Sequence, residues 1–277
     1  MNYAVLGHVE WVDFARVPEL PEPGSIVHAD EFWAEAAGGG AVSAVQLVRM
    51  AGAATFYTAL GDDELGRRSR ADLTHLGVRV EAATIDGPQR RGFTHVEPSG
   101  ERTITVLGER AGPRGSDPLP WHELDDTDGV YFVSGDVEAL RAARRARVLV
   151  ATSRSLPTLA AGGVQIDVLL GSATDRGERY EAGDVDPEPR VVVRTAGRDG
   201  GTWRRVNGES GTWHGGTPPG PILDAYGAGD SFAAGLTYAL GADQELPDAL
   251  DFAAARGAEA LTRRGAHGEH ASGHGTG

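Results

Sequence analysis

The sequence predicts a doubly wound α/β fold, three layers deep, in which helices cover both faces of a mostly parallel central sheet. Short runs rich in valine, leucine and isoleucine alternate along the chain with stretches of helical periodicity. Polar, glycine-rich turns follow those runs, where an open α/β sheet gathers its ligands. A third observation adds a smaller unit, because two extended, alternating segments do not fit the wrapping and predict a small separate sheet.

The elements follow in order. "YAVLG" (3–7) reads as a buried strand, "AVSAVQLVRMAG" (41–52) as a helix closed by a glycine, and "TFYTALG" (55–61) as the next strand, completing one βαβ-like pass. "ELGRRSRADLTHLG" (64–77) is helical again, with Leu65, Leu73 and Leu76 on one face. Further buried strands are expected at "GVYFVSG" (129–135), "RVLVAT" (147–152), "IDVLLG" (166–171) and "RVVVRTAG" (190–197). The two outlying segments are 9–36 and 92–108, the second folded about a Pro-Ser-Gly turn. Residues 1–277 make a single domain, and 265–277, carrying His267, His270 and His274, is expected to be a frayed tail rather than a metal site.

Composition removes several functions. With 26 basic and 40 acidic side chains the formal charge is −14, which argues against nucleic acid or an anionic membrane as partner. The chain has no lysine, so a P-loop lysine is excluded and an anionic ligand must be held by backbone N–H groups, arginine or a metal. The absence of cysteine removes thiolate metal sites and cysteine nucleophiles. No signal peptide and no apolar run of membrane-spanning length stand in the sequence, and a cytoplasmic protein is the expectation.

The densest cluster of candidate chemistry is "DAYGAGDSFAAGLTYAL" (224–240), where glycine and aspartate run straight into an apolar helix. Three readings compete. Asp230 is a helix N-cap beside two turn-forming glycines; or the loop and helix N-terminus cradle a phosphate; or Asp230, beside that anion hole, accepts the proton of a hydroxyl that attacks the phosphate.

The same stretch resembles the C-terminal signature of the ribokinase-like, or PfkB-type, carbohydrate kinases, in which a Gly-Ala-Gly-Asp motif follows an aspartate. "EAAGGGAVSAVQLVRMAGAATFYTALGDDELG" (35–66) resembles the N-terminal signature of that family, "VVVRTAGRDGG" its nucleotide-side strand and turn, and "PSGERTI" its lid hairpin. The match spans nearly the full chain in the expected order. It implies a kinase that uses ATP and Mg2+, with a monovalent cation as a further ion, to phosphorylate a hydroxyl of a sugar, sugar-like compound or nucleoside. By resemblance Asp230 is the catalytic base, the N–H groups of Gly227, Ala228 and Gly229 form the anion hole, and Asp224 organises the site or its ions. Thr195, Gly197 and Gly200 line the nucleotide, with adenine between that turn and the helix at 253–261 that carries Arg256. Asp13, Gly39, Gly40 and Ser43 fall on the substrate side.

This chain departs from the family pattern at several of these positions. Ser43 stands where many relatives have Asn and lacks the amide's paired donor and acceptor. Asp13 is one residue farther from Gly7 than usual, so Glu10 rivals it for the substrate hydroxyls. The Asn-x-x-Glu motif that supports magnesium appears as Ser172-x-x-Asp175, which makes Asp175 the expected water-mediated magnesium partner. Segments 9–36 and 92–108 form a lid that excludes water, and their exposed strands suit a lid-mediated homodimer. Trp11, Trp33 and Tyr226 either stack on a base or sugar or pack within the lid. A non-catalytic sugar- or nucleotide-binding sensor is the alternative; a dinucleotide-dependent oxidoreductase is disfavoured because "GHVEWV" lacks the Gly-x-Gly-x-x-Gly fingerprint.

Overall fold

Tyr3 and Val5 point to one side of their strand and Ala4 and Leu6 to the other, and all four are buried, in two different apolar clusters. The split recurs along Val130, Tyr131 and Phe132 and along Leu149, Val150 and Ala151. Strands buried on both faces require a covering layer on each side, which is the physical content of the doubly wound fold.

The computed structural model describes residues 1–268. In chain order, β1 (Tyr3–Leu6), β2 (Glu10–Arg16) and β3 (Glu31–Ala37) lead into α1 (Gly39–Ala51), followed by β4 (Thr55–Gly61), α2 (Glu64–His75), β5 (Arg79–Ile85) and a hairpin of β6 (Arg91–Val96) and β7 (Arg102–Leu107). The second half carries β8 (Gly129–Phe132), α3 (Val137–Ala143), β9 (Val148–Thr152), α4 (Leu156–Gly162), β10 (Val168–Ser172), β11 (Val191–Thr195), β12 (Gly201–Arg205), β13 (Ser210–Trp213), α5 (Ala228–Gly241) and α6 (Leu246–Ala260). The main sheet has nine strands in the order β13-β12-β11-β10-β9-β8-β1-β4-β5. From β11 to β5 every pairing is parallel, and only the β11–β12 and β12–β13 pairings are antiparallel. Helices α1, α2, α5 and α6 cover one face, α3 and α4 the other. None of the helices among the described residues is long and apolar enough to cross a membrane.

After β1 the chain turns to β4 on one side, and β8 takes the other side, so the order reverses at β1. A crevice opens at the carboxyl ends of such a pair. The two outlying segments meet over it as a four-stranded sheet, β3-β2-β6-β7. Its inner face, Val12, Phe14, Ala37 and Val96, packs on Val42, Tyr226 and Ala266. The hairpin turns as its Pro-Ser-Gly sequence requires, with the Gly100 N–H donating to Glu97 O (2.9 Å).

Strands β5, β12 and β13 lie beyond those expected. They form the two edges of the main sheet, where one-sided burial and exposed Arg79, Thr202 and Arg204 blur the apolar run. The expected frayed tail also differs from the structure over its first residues. The Gly265 N–H donates to Asp224 (3.1 Å), the Ala266 N–H to Glu35 (2.8 Å), and the His267 ring is buried with Nε2 2.6 Å from Ala36 O. These long-range partners anchor 265–268; His270 and His274 lie outside the described residues.

Candidate active site

The glycine turn before α1 and the glycine turn before α5 converge on the crevice. Gly38 has φ +86°, a conformation open to glycine, and its N–H donates to the Tyr226 hydroxyl (3.1 Å). A Cβ on Gly7 would stand 3.0 Å from Gly40 Cα and 3.0 Å from Val133 Cβ, so the ends of β1 and β8 and the start of α1 touch at backbone distance. A Cβ on Gly39 would stand 2.8 Å from Asp230 Oδ1. The expected substrate-side turn and the expected base are therefore neighbours across the crevice.

Asp230 is not the cap of its helix. Helix α5 begins at Ala228, Gly227 occupies the N-cap position with φ +73°, and no side chain caps it. Asp230 lies within the first turn, and among the described residues no hydrogen bond holds its carboxylate. The residue keeps partial exposure, yet burial pushes its carboxyl up to about 6, against the opposing pull of Arg102; Glu178 and Glu10 raise it further and Arg154 lowers it. Position at a helix N-terminus, which favours the carboxylate, is thus outweighed by desolvation. The backbone of Gly229 faces open space, since a Cβ there would meet nothing within 4 Å.

The other expected residues are placed unequally. Asp224 is fully buried and its two oxygens accept from the Tyr226 N–H (2.8 Å) and the Gly265 N–H (3.1 Å), which fixes the loop leading to Asp230. Ser43 does not line the crevice. It is fully buried, and its hydroxyl donates to Asp230 O (3.2 Å), tying α1 to α5. Asp13 and Glu10 are three positions apart on β2 and so face opposite sides of the small sheet. Asp13 pairs with Arg91 (2.7 Å) on the far side, whereas Glu10 faces the crevice with Arg90 Nε (2.8 Å) and His8 Nε2 (3.5 Å). Burial holds His8 down to about 3, so it is neutral. Trp33 stacks between Phe14 (5.0 Å) and the Arg264 guanidinium (4.0 Å), and Tyr226 meets Phe14 edge-on, so these aromatic faces pack the lid base rather than a ligand.

On the opposite wall, Asp175 is engaged by its neighbours. Its carboxylate pairs with Arg154 and accepts from the Gly177 N–H (2.8 Å). Glu178, one short 3-10 turn later, accepts from the Ser172 N–H (2.6 Å), pairs with Arg154 (2.6 Å), and acts on Asp230 together with Glu10. Thr195 ends β11 beside Ser172, with Gly197 open to solvent at φ +59°. Gly200 is packed against Trp213 O, so its lack of a side chain answers to the neighbouring strand. Arg256 pairs with Glu259 (2.9 Å) and lines a cavity of about 480 Å³ with Thr217, Pro219, Pro221 and Thr262. That cavity is walled by the 217–221 segment, not directly by the 195–200 turn, because Gly215 packs against Arg198 and Gly216 against Ala254 between them.

Sequence reasoning missed Gly38, Arg90, Arg110, Arg154 and Glu178. Only Gly38, inside the glycine run, carried a local signal; the others reach the crevice from loops separated along the chain. No group of three or more His, Cys, Asp or Glu that could hold a metal occurs among the described residues.

Comparison with known proteins bears on this geometry. An ATP-dependent ribose-1-phosphate kinase of Halopiger xanaduensis is 28% identical over 94% of this chain and 92% of its own length. An aminoimidazole riboside kinase of Salmonella typhimurium is 25% identical over 80% of each chain. The structure of Arabidopsis thaliana ribokinase complexed with ribose and ATP superposes with a TM-score of 0.74 at 18% identity, covering 95% of this chain and 93% of that one. The model of the pfkB family carbohydrate kinases matches residues 2–155 and 169–270, which include the Gly39 turn, Asp230 and the helix after it. A crevice that sets a glycine turn against an aspartate at a helix N-terminus, inside a fold and a sequence match of this extent, makes the chain a member of the pfkB family of carbohydrate kinases.

Proposed function

We propose that the crevice transfers the γ-phosphoryl group of ATP to a hydroxyl of a ribose-bearing acceptor, with Asp230 as general base. The observation that carries this is the contact geometry of Gly39 and Asp230, which leaves the carboxylate unbonded at the crevice floor. The names of the relatives, a ribose-1-phosphate kinase and a riboside kinase, support a ribose unit in the acceptor.

The acceptor hydroxyl lies against the Gly39 turn, with Glu10 and His8 offering hydrogen bonds to the remaining hydroxyls. Asp230 takes the hydroxyl proton as the oxygen attacks the γ-phosphorus. The N–H groups of Gly227, Ala228 and Gly229 receive the charge on the moving phosphoryl oxygens, a role that falls to backbone in a chain without lysine. The residues present fit a magnesium ion that keeps most of its waters, since Glu178 is a carboxylate near Asp230 and such ions commonly use one or two carboxylates together with nucleotide phosphates. When bound it neutralises phosphate charge. The adenine occupies the cavity beside Arg256, between the 217–221 segment and α6.

The small sheet acts as a lid. Its hairpin tip docks on the loop before α5, where the Ala225 N–H donates to Gly100 O (2.9 Å), and this closes the crevice to water. Strand β7 is exposed along its whole length and presents Ile104 and Val106, and pairing of this edge in two copies would form a lid-mediated homodimer.

The reading is tested by ADP release with a panel of pentoses, ribosides and nucleosides; acceptor-dependent release is expected, and binding without turnover would favour a sensor instead. Gly229→Val probes the anion hole. Because an added Cβ meets no protein atom within 4 Å there, the variant should fold normally while the KM for ATP rises by about tenfold or more. An unchanged KM would remove Gly229 from the nucleotide site.

A further inference from the structure

Resting on that kinase reading, the acceptor side of the crevice carries a charge pattern that a neutral sugar does not explain. A Cβ on Gly38 would stand 3.2 Å from Glu10 Cγ and 3.4 Å from His8 Cδ2, whereas one on its neighbour Gly39 would face Asp230. Successive Cα atoms stand about 3.8 Å apart, so the Glu10 cluster and the base lie within the span of one sugar. Arg90 Nε is 2.8 Å from Glu10 Oε1. The chain leaving β7 then crosses this cluster. A Cβ on Gly108 would stand 3.9 Å from Arg90 Cα, and one on Gly112 2.9 Å from Gly135 N, so Arg110 between them bridges the hairpin foot and the end of β8. There Ser134 Oγ and His8 Nδ1 share a hydrogen bond (3.3 Å). Arg154 is balanced by Asp175 and Glu178. Arg110 has no carboxylate within ion-pair distance among the described residues; Arg90 and Arg154 repel it and only Glu10 attracts it. Glu10 thus pairs with Arg90 and leaves the Arg110 guanidinium without an ion pair among the described residues, in a chain whose net charge is −14.

We propose that the acceptor is an anionic sugar whose phosphoryl or carboxylate group docks between Arg90 and Arg110, at the lid side of the crevice, while its hydroxyl meets Asp230. Guanidinium forks bind such groups through paired, charge-assisted hydrogen bonds. An incoming anion also offsets the mutual repulsion of the arginines, which a neutral sugar would leave uncompensated. His8, held neutral, adds a hydrogen-bonding ring without further charge. A dianionic phosphoryl group engages two forks at once and is the stronger occupant.

The test measures KM with ATP and ribose, ribose 1-phosphate, ribose 5-phosphate or gluconate as acceptor, at fixed ionic strength, together with calorimetric binding of the same four compounds. At least one of the anionic compounds should show a KM about tenfold or more below that of ribose, and Arg110→Gln should collapse that ratio by about tenfold, with partial recovery in Arg110→Lys. A preference carried by gluconate alone identifies the docked group as a carboxylate. Equal KM values for ribose and all three anions, or a ratio that Arg110→Gln leaves unchanged, overturns the subsite, while turnover of ribose keeps the kinase reading intact. If none of the four is turned over, the kinase reading is decided by the wider acceptor panel and calorimetry decides the subsite: weaker binding of the sugar phosphates to Arg110→Gln upholds it, and unchanged binding overturns it.

Discussion

Asp230→Asn lowers kcat with the acceptor by roughly 10²–10⁴-fold while ATP still binds, because the variant keeps the helix, the loop and the three backbone N–H groups but removes the general base. Stability should move in the opposite direction. Burial raises the Asp230 carboxyl from 3.8 to about 6, so the native state holds this proton more tightly than the unfolded chain. Ionisation therefore costs native stability above the unfolded value, the cost is complete above the native value, and it disappears as pH falls below both. Asp230→Asn removes the cost, so at pH 7 its Tm should equal or exceed that of the parent, with the difference vanishing near pH 3. Thermal unfolding at the two pH values reads this directly. A variant that lost both activity and Tm at pH 7 would make Asp230 a structural residue.

Gly39→Ala is the second large effect. The added methyl would stand 2.8 Å from Asp230 Oδ1 and 3.4 Å from a Val133 methyl, so it must displace the carboxylate toward the open side of the crevice. Misplacing a reacting group by about 1 Å costs on the order of 10²-fold in rate, and a loss of that size in kcat is expected with an unaltered far-UV spectrum. Gly38→Ala should instead strain a backbone at φ +86° and lower Tm as well. A Gly39→Ala variant with parental kcat would show that Asp230 is not held at the turn during reaction.

The central strands were legible because both faces of each are buried, which writes continuous apolar runs into the chain. The edge strand β5 and the next-to-edge strand β12 carry exposed arginine and leave no such run. Within the site, Asp230 and Gly39 were legible because a glycine turn feeding a helix is a local pattern. Glu178 was not, because its approach to Asp230 depends on a 3-10 turn after Ser172 that the motif spacing does not reveal. The lid-side arginines and His267 were hidden for a related reason: their partners, such as Glu10 for Arg90 and Ala36 O for His267, are distant in sequence. Ser43 shows the converse limit. Its position in the motif was readable, but that its hydroxyl turns inward to Asp230 O is a matter of how α1 packs on α5.

The most direct test of Asp230 as the base is the pH dependence of kcat/KM for acceptor-dependent ADP release by the parent protein. The base must be ionised to accept the hydroxyl proton, so activity should fall on the acid side with an apparent pKa of about 6, where burial places this carboxyl. A profile that stays flat down to the ordinary range of an exposed carboxylate, about pH 4, would contradict the assignment of Asp230 as the buried base of the crevice.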